Sequence, residues 1–175
     1  MLASLLALGE QAWPASRSSN VYNLRPSDGW GELEWISQSA FRWTRGWGRR
    51  LEKRAPIKDK RVEVSRKDLG DRWQFTTNYL VVEVDKAGLT FEVADEDGEP
   101  FVEGAVRKGL KGVELEFPMA PSERFYGMGL RTAAELNVRG QAIRTEKPFL
   151  TSSVGYGEYY RGGKEYEFDL GRSQA

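Results

Sequence analysis

The chain contains no cysteine and no histidine. Without cysteine there can be no disulfide, thiolate nucleophile or sulfur-ligated metal. Without histidine it lacks the side chain that most often exchanges protons near neutral pH, and the commonest metal ligand. Ser-His-Asp, Cys-His and HExxH chemistry are therefore excluded within this chain. Carboxylates, Lys, Tyr and Arg remain as the possible catalytic groups, and no metal or cofactor is expected. An excess of charge is lacking too: 26 Lys and Arg balance 26 Asp and Glu. That balance gives no case for a nucleic-acid or anionic-membrane partner. No apolar run approaches the ~18 residues of a membrane span. The opening MLASLLALGEQAW has a short apolar run, Leu2 to Leu8, but no Lys or Arg precedes it and Glu10 closes it. A secretory signal needs a basic start and a clean cleavage site. Residues 1–19 are therefore expected to be a short extension, helical or frayed, and the chain is expected to be cytoplasmic.

What the sequence does have is alternation. VYNLR (Val21–Arg25), ELEWI (Glu32–Ile36), AFRWT (Ala40–Thr44), RVEVS (Arg61–Ser65), WQFTT (Trp73–Thr77), YLVVEVD (Tyr79–Asp85), LTFEVA (Leu89–Ala94) and VELEF (Val113–Phe117) read as strands parted by Gly, Pro, Asn and Asp. FLTSS (Phe149–Ser153), YGEYY (Tyr156–Tyr160) and YEFDL (Tyr166–Leu170) continue the style. The run from Tyr79 to Phe101 predicts two successive hairpins, each with a glycine available for positive φ. No long helical period follows residue 20. Strands about every ten residues predict an all-β, antiparallel β-sandwich, with residues 20–175 as one domain. Only GWGRRLEKRAPIKDK (Gly46–Lys60) breaks the rhythm; it is basic and reads as a solvated loop.

The stretch SERFYGMGLR (Ser122–Arg131) is denser in information. As a phosphate loop it fails, because GxGxxG lacks its third glycine and no helical pattern follows. Glycines inside a strand mark a bend or a close backbone approach, and Phe125 and Tyr126 should then face opposite ways. Downstream lie Arg139-Gly140, Pro148-Phe149, Ser152-Ser153 and Gly155-Tyr156-Gly157. Together with Glu123, Arg124, Phe125, Tyr126, Gly127 and Gly129, these segments resemble the N-terminal, galactose mutarotase-like super-sandwich domain of family 31 glycoside hydrolases, the α-glucosidase and α-xylosidase group. The resemblance covers roughly residues 20–171 and is most specific from 123 to 160.

It implies a non-catalytic domain that packs on a (β/α)8 barrel and helps to shape its sugar pocket. The two carboxylates that retaining hydrolysis requires would lie on that barrel. Such a barrel needs about 250 residues, so this chain alone is expected to be inactive. The family's W-N-x-D loop between the R-G and P-F elements is replaced here by QAIRTEK (Gln141–Lys147). If a sugar contact survives, Arg144, Thr145 and Glu146 are its candidates; otherwise they form a hairpin tip. Implied partners are carbohydrate and the barrel, or a second copy through an exposed docking face. A stand-alone carbohydrate-binding sandwich is the alternative function. A self-sufficient mutarotase-like enzyme is disfavoured by the missing histidine.

Two further sets invite a functional reading. Trp30, Trp35, Trp43, Trp47 and Trp73 could stack on sugars, but large aromatics dominate cores. Asp95, Glu96, Asp97 and Glu99 lack the twelve-residue calcium loop and fit a hairpin turn. Glu114 and Glu116 share one strand face and mimic a catalytic pair without a pocket.

Overall fold

A computed structural model describes residues 20–26, 29–48, 61–109, 113–129, 136–161 and 163–171. The N-terminal extension and most of the basic segment lie outside the described residues. Among the described residues every regular element is a strand, and every pairing is antiparallel. The chain divides into two compact units, residues 1–116 and 117–175.

The first unit holds β1 (Val21–Leu24), β2 (Trp30–Ser37) and β3 (Ala40–Gly46) in one sheet. A second, six-stranded sheet is a simple meander of β4 (Ser65–Asp68), β5 (Arg72–Thr76), β6 (Val81–Asp85), β7 (Phe91–Ala94), β8 (Pro100–Lys108) and β9 (Val113–Glu116). Period-two alternation sends Leu33 and Trp35 of β2 inward, and Phe75, Val82, Val84, Phe91 and Val93 inward from the larger sheet; all are buried. The layers meet through rings. Tyr22 and Phe75 have centroids 4.7 Å apart, and Trp43 and Phe91 5.8 Å apart. This is sandwich packing of two inner faces. Fully burying a side chain such as Phe75 contributes about 1.5–3 kcal/mol.

The expected hairpins from Tyr79 to Phe101 are β6–β7–β8, with one correction. At the second turn Gly98 takes positive φ (+86°), but at the first it is Leu89 (φ +54°), not a glycine. Leu89 is fully buried, so apolar burial offsets the strain of the left-handed backbone. The strand expected at Arg61–Ser65 is also corrected. Residues 61–64 make no ladder, and β4 begins at Ser65, where Ser65 to Asp68 pair with Thr76 to Trp73. Val62 is buried, but its N–H is held by the Asn20 side chain at 3.1 Å rather than by a strand. Alternation alone cannot distinguish a paired strand from an extended segment fixed by a side chain.

The second unit has β10 (Phe125–Gly127), β11 (Ala142–Thr145), β12 (Phe149–Ser152), β13 (Gly157–Tyr159) and β14 (Tyr166–Asp169). β10, β12 and β13 make one sheet, with β12 central; β11 pairs with β14. Phe125, Met128, Val138, Ile143, Leu150 and Leu170 form its core, with Met119, Tyr156 and Phe168 packed against them.

Candidate functional site

The SERFYGMGLR stretch is the structural centre of the second unit. Glu123 is 3% exposed, yet its carboxylate is well supplied with donors. Oε2 accepts the Ala120 N–H at 3.0 Å. Oε1 accepts the Tyr156 hydroxyl at 2.8 Å and also the Ser152 hydroxyl. Ser152 is itself buried, and its Oγ accepts the Val154 N–H. Arg139 Nη1 donates to the carbonyls of Ala120 and Glu123, both at 2.8 Å. Asn137 Oδ1 accepts the N–H groups of Phe125 and Arg139. A buried carboxylate without donors would cost several kcal/mol; here it ties the turn before β10 to β12 and to the turn that leads into β13.

Phe125 is buried and Tyr126 half-buried, as opposite faces require. The glycines then bend the strand. Gly127, Met128 and Gly129 have φ of +113°, +61° and +107°. A side chain on Gly127 would meet the Phe149 carbonyl oxygen at 2.4 Å, so that oxygen can approach only a glycine. The Met128 N–H donates to the same oxygen at 2.8 Å.

β13 adds a second polar pair. Alternation places Tyr156, Glu158 and Tyr160 on the inner side and Gly157 and Tyr159 on the outer. Burial pushes the Glu158 carboxyl above the usual carboxylate range; the hydroxyl of Tyr160, which donates to it, pulls it partly back, and the charge of Glu123 raises it further. Burial likewise pushes the Tyr156 and Tyr160 phenols up, and the nearby carboxylates reinforce this. Tyr160 packs against Phe117, Tyr166 and Phe168. Two carboxylates thus lie on one seam, but each is engaged by hydroxyls, and Glu123 is too deeply buried to meet a substrate.

The residues singled out from sequence separate. Arg144 and Thr145 are in β11, paired with Glu167 and Tyr166, and Glu146 is exposed in the bend that follows. Arg144 makes an ion pair of 2.5 Å with Glu165, which raises its guanidinium pKa. Thr145 Oγ1 accepts the Lys147 N–H at 3.0 Å and lies 3.8 Å from where a side chain on Gly129 would stand. The bend after Gly127 thereby brings the GMG segment beside Thr145.

The tryptophans do not make one platform. Trp35 is buried, Trp30 donates to the Gly48 carbonyl, Trp47 carries the Arg45 guanidinium, and Trp73 lies under Arg66 and Lys86. Asp95 Oδ1 accepts the N–H groups of Asp97 and Glu99, as in a side-chain-closed turn. β9 is exposed throughout, and Glu116 pairs with Arg107 at 3.2 Å. A surface depression of about 390 Å³ is lined by Glu63, Val64, Ser65, Thr76, Thr77 and Asn78. It carries one carboxylate, where retaining hydrolysis needs two.

Sequence reasoning missed the Glu123–Ser152–Tyr156 cluster and the Glu158–Tyr160 pair. The signal for the second was available, since YGEYY alternates. The first joins residues about thirty positions apart, and only the pairing of β10 with β12 brings them together.

No protein-family profile matches the sequence, and no curated protein does. Solved structures do share its fold. A GH31 dextranase of Flavobacterium johnsoniae with isomaltotriose matches with a TM-score of 0.71 and 17% identity, covering 89% of this chain and 23% of that one. A GH31 α-xylosidase of Xanthomonas citri matches at 0.59 and 20%, covering 78% and 18%. A cycloalternan-forming enzyme of Listeria monocytogenes with a pentasaccharide substrate matches at 0.60 and 19%, covering 79% and 16%. The likeness is one of fold, and the chain spans about a quarter or less of each of these three proteins.

Proposed function

We propose that this chain is the non-catalytic N-terminal domain of a family 31 glycoside hydrolase, which packs on a (β/α)8 barrel and shapes the mouth of its sugar pocket. The observation that carries the reading is the asymmetry of coverage: 78% of this chain but only 18% of the α-xylosidase, and 89% against 23% for the dextranase. A shared fold that fills one chain and a fraction of the other is the pattern of an accessory domain. The seam supports the same role. The most specific motif residues, Glu123, Ser152 and Tyr156, are used to hold two segments together rather than to face a ligand. Arg144, Thr145 and Glu146 are the proposed contribution to the sugar pocket, with Glu146 exposed beyond the end of β11.

Two measurements test this. The purified chain should release nothing from aryl α-glucosides or α-xylosides above the rate without protein. The genomic DNA beyond codon 175 should encode an in-frame barrel. Turnover that Glu114→Gln or Glu116→Gln abolishes would overturn the accessory role.

A further inference from the structure

The outer face of the β10–β12–β13 sheet has no part in the seam beneath it. Alternation places Tyr126, Phe149, Thr151, Gly157 and Tyr159 there, and the register pairs Phe149 with Tyr159 and Thr151 with Tyr126 and Gly157. Phe149 is 52% exposed and Tyr159 65%. Directly paired residues on one face stand about 5 Å apart at Cβ. The Phe149 ring leans over Gly157: a Cβ there would lie in ordinary contact, 3.7 Å from its Cε2 and Cζ. The inner side of the same strands holds the buried Leu150, Ser152 and Phe125, so the two rings stand on a fixed base.

We propose that this face is a binding platform for the pyranose rings of a neutral saccharide. The face itself carries no ionisable carboxylate or base. Aromatic faces are electron-rich and attract the slightly positive C–H groups on the flat side of a pyranose, while the Tyr159 and Thr151 hydroxyls can exchange hydrogen bonds with sugar hydroxyls. Its size argues against a protein partner. Two rings of 150–250 Å² each, a little over half exposed, offer roughly 250 Å², whereas each partner of a stable protein interface supplies about 800 Å². Exposed Arg124 and Arg161 lie at the ends of the strands, so an anionic sugar is the competing ligand. The platform does not depend on the proposed accessory role, and its failure leaves that role standing.

Titration calorimetry of the full chain with maltotriose, cellotriose and an oligogalacturonate tests it. At least one neutral trisaccharide should bind with a Kd of about 1 mM, typical of a small, exposed site, and binding should not change with salt. Phe149→Ala and Tyr159→Ala should each weaken it about tenfold or more, with melting temperature kept, and Tyr79→Ala, exposed in the first unit, should leave it unchanged. Tyr159→Ala keeps the test valid should Phe149→Ala fail to fold. The proposal is overturned by any of three results: no neutral sugar binds; both ring variants bind as wild type; or only the oligogalacturonate binds, in a salt-sensitive manner. Dimerisation that Phe149→Ala/Tyr159→Ala abolishes would also overturn it, by making the face an interface between copies.

Discussion

Replacing Glu123 by alanine should destabilise the protein more than any exposed substitution, and the structure says by how much. The carboxylate accepts three hydrogen bonds. On its removal the Ala120 N–H, in an exposed residue, can turn to water, and the half-buried Tyr156 hydroxyl can do so in part. The Ser152 hydroxyl, in a residue only 4% exposed, cannot. An unsatisfied buried hydroxyl costs about 1–3 kcal/mol, and weakening the bonds to a charged group adds roughly 1 more. Relief from burying a charge offsets part of this. A net loss of about 2–4 kcal/mol follows, which for a chain of this length lowers Tm by roughly 5–15 °C. Thermal unfolding followed by far-ultraviolet circular dichroism measures it. Ser152→Ala should lose less, because it removes the stranded donor together with the bond. The double variant should be destabilised by about 1 kcal/mol less than the sum of the singles. A drop below about 2 °C for Glu123→Ala, or strict additivity with Ser152→Ala, would refute the view that this cluster holds the unit together.

Gly127→Ala should also unfold the second unit more readily, by about 2 kcal/mol or more, because it combines positive φ with a backbone oxygen 2.4 Å from the new methyl group; denaturant titration reads it as a lower midpoint with unchanged slope. Glu158 gives a pH signature. Its carboxyl is raised in the fold by burial first and by Glu123, so its contribution to stability is complete below the unfolded value of about 4.3 and is lost as pH rises through the raised value. Wild type should therefore lose stability relative to Glu158→Gln as pH rises above about 4, and parallel Tm curves for the two proteins would contradict this. Arg144→Ala, which breaks only solvent-exposed ion pairs with Glu165 and Glu167, should leave Tm within experimental error; a clear fall would mean the pairs are structural.

The class of fold is legible in the residue pattern, because period-two alternation commits each strand to one buried face whatever its neighbours are. Trp35 and Phe75 were legible as inward residues in this way, as was the turn at Asp95, whose side chain closes on residues two and four positions away. The missing cysteine and histidine likewise set the available chemistry without any structure. Which extended segments pair depends instead on contacts distant in the chain. RVEVS alternates as well as any strand, yet Asn20, more than forty residues distant, holds its Val62 out of the ladder. Tertiary packing decided that Leu89 rather than Gly88 takes the left-handed turn, since the compensating burial comes from the packed sheets. It also decided what Glu123 is for. A carboxylate in a strand-like motif reads as an exposed or catalytic acid until the register of β10 on β12 sets Phe125 opposite Ser152. The physical reason is common to all three: local pattern fixes the direction of a side chain, whereas the partner it meets there comes from a part of the chain that local pattern does not see.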